Sequence, residues 1–382
     1  MANRKDSDGD WRRPLPVGED TEVHMKVAVL GSGNGGLAIA FEWARAGHEV
    51  ALFDFEQFDT NIGEVAAAGG ITSDGEMEGF APVVYSGHDI GEAMRGAELI
   101  FAVGPAYSTA PFAEACKPHV APGQVFVVCP GSCAGAIVFK QALGLALDDE
   151  TLLIAETSTL PYAVRVTGPA HLTVYNRLKG GYYVSALPRR ATTAVYELLH
   201  SVHAEIEPAD SIWQTTLQNS NPIIHPAVSL CNVARIDQGG DFLFYEEGVT
   251  DGVGRLIRAV DVERVAIAEA LGVTVKRDPV LGIEQGYQVI DDYGVGYSQA
   301  PGFQGIKAQG QLDHRYFNED AGYGLVFMTD LARQVGVATP AMDALLTVSS
   351  IVTGRDYAAE RARTMSGLGL AGLSAAQLRD AV

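Results

Sequence analysis

Along the first two hundred residues, short apolar runs alternate with longer amphipathic stretches. Val27–Leu30, His48–Phe53, Leu99–Val103, Gln124–Cys129 and Thr151–Thr157 are rich in Val, Leu, Ile and Phe and carry little charge. Strands buried on both faces of a parallel sheet need this composition. Between them, Leu37–Ala46, the stretch 61–70, Ile90–Gly96 and Thr109–Lys117 have helical spacing, and Ala191–His203 closes the series. This alternation predicts an α/β, doubly wound sheet with right-handed crossovers. Two segments depart from it. Ser73–Gly87 reads as hairpin strands decorating the sheet, and Leu172–Ala186 as two strands split by a hairpin turn at Lys179-Gly180-Gly181.

Beyond Asp210 the pattern changes. Ser211–Asp237, Gly252–Leu271, Gly322–Val335 and Pro340–Gly354 carry the 3.6-residue period, and Ala359–Met365 and Ser374–Ala381 read as short helices. The expected organisation is therefore a sheet domain over 25–210, a mostly α-helical domain over 211–382, and a substrate cleft between them. Residues 1–24 are charged and poor in apolar side chains, as a disordered tail would be, and Met25 offers an alternative start.

The first strand runs directly into Gly31-Ser32-Gly33-Asn34-Gly35-Gly36. In the pattern G-x-G-x-x-G the first glycine permits the turn. The second lets the backbone approach a pyrophosphate, and the third lets helix and strand pack closely. The helix that follows offers free N–H groups to the anion. The second strand ends at Asp54, eighteen positions after Gly36. A carboxylate there accepts hydrogen bonds from an adenosine ribose and repels a 2′-phosphate, which favours NAD over NADP. The sheet is thus expected to be of the Rossmann type. The loop after the strand Leu99–Val103, opening with Gly104-Pro105, should lie over the same cofactor.

Charge removes several alternatives. A formal net charge of −20 argues against nucleic acid or an anionic membrane surface as a partner. The longest uncharged stretch, Pro118–Phe139, is broken by prolines and glycines and does not read as a membrane span. Four cysteines are too few and too irregular for a disulfide framework, and Cys129 and Cys133 lack the companions a metal site needs. A reduced, cytoplasmic protein without a metal is expected.

Candidate chemistry clusters in the helical half. Asn221 and His225, four apart, share one helix face, while Pro222 and Pro226 suggest an irregular or beginning helix that aims the imidazole outward. Histidine is the side chain best suited to pass a proton near neutral pH, although a packed, locally bonded histidine reads the same way. Downstream, Arg315, Glu319 and Asp320 supply a fork for a carboxylate and an acid able to orient a histidine; a solvated charge cluster is the competing reading.

With these segments on view, the chain resembles the octopine/nopaline (opine) dehydrogenase family from about Met25 to its C-terminus. The resemblance is carried by GSGNGG at 31–36, PGSCAGA at 130–136, ETSTLPYAVR at 156–165, NPIIHP at 221–226, FYEEGVTDGVG at 244–254, DVERVAIAEALGV at 261–273 and RYFNED at 315–320. It implies a reductive condensation of an amino acid with a 2-oxo acid, usually pyruvate, driven by a reduced nicotinamide. By the same match His225 would transfer protons, Asp320 would partner it, Arg315 would hold a substrate carboxylate and Asn221 would help position substrate. The cofactor would lie on Gly31, Ser32, Gly33, Asn34, Gly35, Gly36, Asp54, Gly104 and Pro105. A homodimer is compatible with the resemblance. Ala106-Tyr107-Ser108-Thr109 departs from the polar or histidine-containing segment common in the family, and Leu160-Pro161-Tyr162 is a second local difference. A hydroxy-acid dehydrogenase and a nicotinamide-binding regulatory module remain the alternatives.

Overall fold

The computed structural model describes residues 24–382, so all but the last residue of the expected tail falls outside the described residues. The strands, in chain order, are β1 (Lys26–Leu30), β2 (Glu49–Phe53), β3 (Gly70–Gly75), β4 (Gly79–Pro82), β5 (Tyr85–Gly87), β6 (Leu99–Ala102), β7 (Val125–Val128), β8 (Leu153–Thr157), β9 (Tyr162–Gly168), β10 (His171–Arg177), β11 (Tyr182–Leu187) and β12 (Ile206–Pro208). Eight form the main sheet in the order β12-β11-β8-β7-β6-β1-β2-β5. From β5 to β8 every pairing is parallel, and β11 runs antiparallel to β8. This is the expected Rossmann-type sheet, with its order reversing between β1 and β6.

Each central strand is buried on both faces, and its side chains alternate between two cores. Ala28, Leu30, Ile100, Ala102, Phe126, Val128 and Ile154 face one. Val27, Val29, Leu99, Phe101, Val125, Val127 and Leu153 face the other. The first core continues without a break into the helical half through Trp213, Ile223, Ala227, Phe317 and Leu331. The sheet, rather than a line across the chain, separates the two cores.

The strand segments outside the regular alternation fold differently from expectation. Ser73–Gly87 does contain an antiparallel hairpin, β3 with β4, but only β5 joins the main sheet. The hairpin builds a second sheet, β4-β3-β10-β9, which packs on the first helix, α1 (Asn34–Arg45). Lys179–Gly181 is not a hairpin turn. β10 pairs with β3 and β9 in the second sheet, whereas β11 crosses to the main sheet beside β8. Gly181, with φ +62°, permits the change of direction.

After β12 only helices follow, apart from an isolated bridge between Leu243 and Lys307 among the described residues. Asp251–Leu271, Val326–Val335 and Pro340–Thr353 match the periodic stretches. Ser211–Asp237 divides into Ile212–Gln218, Asn221–Cys231 and Val233–Asp237. The expected helix over Ala359–Met365 is cut short. Tyr357–Glu360 ends at Arg361, whose left-handed φ of +48° stops helical bonding. No helix among the described residues is long and apolar enough to cross a membrane.

Candidate active site

At the C-terminal ends of β1 and β6 a cavity of about 780 Å³ opens and extends into the helical half. Gly31, Gly33, Asn34, Gly35 and Gly36 form its floor beside Asp54, Gly104 and Pro105. Gly31 has φ +107°, and a Cβ there would lie 2.1 Å from the Val103 carbonyl oxygen. A Cβ on Gly36 would meet the Gly31 oxygen at 1.7 Å, so strand and helix approach as only glycine allows. Gly33 differs: a Cβ would meet nothing within 4 Å. It opens on the cavity as the N-cap of α1, whose first turn has no side-chain cap. Open space in front of uncapped helix N–H groups fits the pyrophosphate of a dinucleotide.

Three of the expected cofactor residues, Ser32, Asp54 and Asn34, use their side chains to hold this turn. Ser32 donates its backbone N–H and its hydroxyl to Asp54 Oδ2, at 2.6 and 2.8 Å. Asp54 therefore anchors the glycine turn as well as lining the cavity. The Asn34 side-chain oxygen accepts from the Val166 N–H at 2.8 Å, which fastens β9 to the rim of the turn.

Across the cavity, His225 lies on the helix Asn221–Cys231. Its ring is buried rather than directed to solvent, because the proline-flanked helix start is roofed by the segment after Arg315. Nδ1 contacts Asp320 Oδ2 at 2.7 Å and Nε2 contacts the Tyr245 hydroxyl at 3.2 Å. An ionised carboxylate can only accept, so Nδ1 carries the hydrogen and Nε2 accepts from Tyr245. Tyr316 stacks on the imidazole with ring centroids 3.9 Å apart. Burial pushes the Asp320 carboxyl up to about 7 and holds the His225 imidazolium well below its usual range. Both shifts have one main cause, loss of water from two groups in contact, which favours the neutral form of each.

A short π-helical segment, Asp320–Leu325, brings Asp320 to the histidine. The Gly324 N–H bonds the Glu319 carbonyl, five residues back, at 3.0 Å. That extra residue per turn swings the segment against the neighbouring helix, where a Cβ on Gly324 would sit 2.6 Å from the Pro222 ring.

Arg315 and Asn221 line the same cavity. Arg315 is about half exposed, with Nε 3.7 Å from Glu319 Oε2. Glu319 is buried, and its Oε1 accepts from the Ala106 N–H at 2.9 Å, which ties the loop after β6 to the helical half. The buried Arg363 donates to the carbonyls of Ala106 and Cys133, at 3.1 and 3.0 Å. The expected residues are thus brought to one cavity, with Asp320 behind His225 and the Ser32 hydroxyl turned to Asp54. Tyr245, Tyr316, Arg165 and the clamp on Ala106 were not anticipated. The two tyrosines do lie in the segments 244–254 and 315–320 quoted above, but nothing in their spacing points to an imidazole.

A parallel sheet with a glycine turn at its switch point, facing a buried histidine–aspartate pair, defines a nicotinamide-dependent dehydrogenase. The family model for the NAD-dependent glycerol-3-phosphate dehydrogenase N-terminus matches residues 26–131. That for the NAD/NADP octopine/nopaline dehydrogenase alpha-helical domain matches residues 208–353. An opine dehydrogenase of Arthrobacter sp. (strain 1C) is 34% identical over 93% of this chain and 98% of its own. The protein ocs of Agrobacterium tumefaciens (strain Ach5) is 27% identical over 92% and 97%. Among solved structures, octopine dehydrogenase with NADH and L-arginine superimposes with a TM-score of 0.71 at 19% identity, covering 86% of this chain and 90% of that one. Apo yersinopine dehydrogenase gives 0.69 at 14% identity, over 94% and 97%. The chain belongs to the opine dehydrogenase family and is an NAD(P)-dependent oxidoreductase.

Proposed function

We propose that this enzyme condenses an amino acid with a 2-oxo acid, of which pyruvate is the first choice, and reduces the product with NADH to an N-(carboxyalkyl)amino acid. The reverse oxidation follows from the same site. One observation carries the reading: a buried proton-transfer pair, His225 and Asp320, stands beside Arg315 in a cavity continuous with the glycine turn. In this reading residues 25–210 hold the cofactor and residues 211–382 hold the substrate.

Arg315 takes the 2-oxo acid carboxylate in its fork. Asn221 helps position the substrate from the first turn of the histidine's helix. His225 Nε2 accepts a proton as the amine adds to the carbonyl, then returns one as the carbinolamine loses water. Asp320 holds the tautomer and stabilises the imidazolium between those events. The bound nicotinamide supplies the hydride that reduces the imine. The cavity wall of Tyr245, Tyr287, Tyr297 and Phe303, with ring stacking as close as 4.2 Å, suits an apolar amino-acid side chain.

NAD is favoured over NADP, because Asp54 lies at the end of β2 where a 2′-phosphate would have to sit. The cavity's fixed cations among the described residues, Arg165 and Arg315, line a wall with His225 instead. A cytoplasmic setting and a homodimer complete the proposal.

The test follows NADH absorbance with pyruvate and a panel of amino acids, each alone and together, for the parent and His225→Ala. Oxidation only when both substrates are present, and slowed about 10²-fold or more in the variant, is expected. Oxidation with the oxo acid alone would make the enzyme a hydroxy-acid dehydrogenase.

A further inference from the structure

The product of this chemistry carries two carboxylates, one from each substrate, flanking a single secondary amine. Arg315 accounts for one of them. The 2-oxo acid's carboxylate is bonded directly to the carbon that reacts, so it belongs with the cation nearest the proton-transfer pair. Arg315, five residues before Asp320, is that cation. The other carboxylate has no receptor in the site described so far.

Arg165 meets the requirement. It sits on β9, in the nucleotide-binding half, and lines the cavity together with Ala163 and Val164. The only hydrogen bond of its side chain among the described residues runs from Nη1 to its own neighbour, the Val164 carbonyl, at 2.8 Å, and the side chain forms no ion pair among them. In a chain of net charge −20, a guanidinium left without a carboxylate while facing a cavity is a vacancy for an anion. The backbone that carries it is held in place, because the next residue, Val166, is bonded to Asn34 at the edge of the glycine turn. Its charge reaches His225 and His314, which burial first, then Arg315, and to a smaller degree Arg165 hold below their usual range.

We propose that Arg165 binds the carboxylate of the amino-acid substrate and so makes the enzyme select amino acids over simple amines. With Arg315 on the helical half and Arg165 on β9, the two carboxylates are held apart and the amine between them faces His225. The inference rests on the condensation proposed above and adds the receptor for the second substrate.

The experiment compares the parent with Arg165→Gln and Arg165→Lys. It uses the best amino acid of the panel and the amine that lacks its carboxylate, with pyruvate held saturating. Arg165→Gln is expected to raise KM for the amino acid by about 10- to 100-fold, the range a charge-assisted contact carries. KM for pyruvate and the dissociation constant for NADH should stay within about twofold of the parent. The preference for amino acid over amine should collapse, and Arg165→Lys should recover part of it. An unchanged amino-acid KM, or a rise confined to pyruvate, overturns the assignment. Failure of the parent to couple any pair would remove the underlying reaction, and this proposal with it. An active parent with an indifferent Arg165→Gln would remove this proposal alone.

Discussion

Replacing Asp320 by Asn keeps the shape of the side chain behind His225 and removes its charge. In the parent, Oδ2 accepts from Nδ1 at 2.7 Å, with both side chains buried. Hydrogen bonds to charged groups contribute about 1.5–3 kcal/mol. Every ~1.4 kcal/mol is tenfold in rate. If that bond strengthens as the imidazole gains its proton, its loss should lower kcat by about 10- to 100-fold. The effect is bounded by the ~10²–10⁴-fold that general acid–base catalysis supplies as a whole. Initial rates of NADH oxidation at saturating amino acid and pyruvate measure it, and cofactor fluorescence should report unchanged NADH binding. The decisive comparison is the double variant. If Asp320 works through His225, Asp320→Asn should cost little more once His225 is already Ala. Two independent, multiplying effects, or an Asp320→Asn enzyme within about threefold of the parent, would refute the argument.

Other consequences can be checked independently. Because burial raises the Asp320 carboxyl to about 7, kcat for opine oxidation should fall as pH drops through about 7. Condensation also starts with His225 accepting a proton, so it should lose rate over the same range, and a rate that rises as pH drops through about 7 would contradict the assignment. Gly324→Ala pushes a Cβ into the Pro222 ring and should separate Asp320 from His225. It is expected to lower kcat at least about tenfold while NADH binding holds, readable by the same two assays. Glu156, wholly buried, has its carboxyl raised to about 8 by desolvation. The raised folded-state value means the favourable contribution is complete below about 4.5 and is lost as pH climbs through about 8. Glu156→Gln can still accept from Ala136 N–H and donate to Thr215, so its melting temperature should match the parent near pH 4.5 and exceed it by about 2 °C or more above pH 8.

Much of the central sheet was legible because its strands are continuous apolar runs with glycine turns between them, and continuous runs have few other uses. Asp54 and Gly31–Gly36 were legible for the same reason, since their spacing is local. β9 was not, because the stretch around Leu160–Arg165 lacks strict alternation and gains its strand character only by pairing with β10. The turn at Lys179–Gly181 carries hairpin residues but changes sheets, a choice made by partners distant in sequence. His225 and Asp320 were singled out by residue type, and their pairing came from the resemblance. Their meeting depends on the π-helical segment and Gly324, which helical periodicity alone does not register.

The clamp on Ala106 has a consequence for how this enzyme can change. Glu319 holds that residue's N–H and Arg363 its carbonyl, and both bonded groups belong to the backbone. Neither bond uses the Ala106 side chain. Tyr107, which follows it and lines the cavity, is therefore carried on a rail held by bonds that do not involve its side chain. New substrates can be explored by altering this rail's side chains, a route to divergence that leaves the proton-transfer pair and the dinucleotide turn untouched.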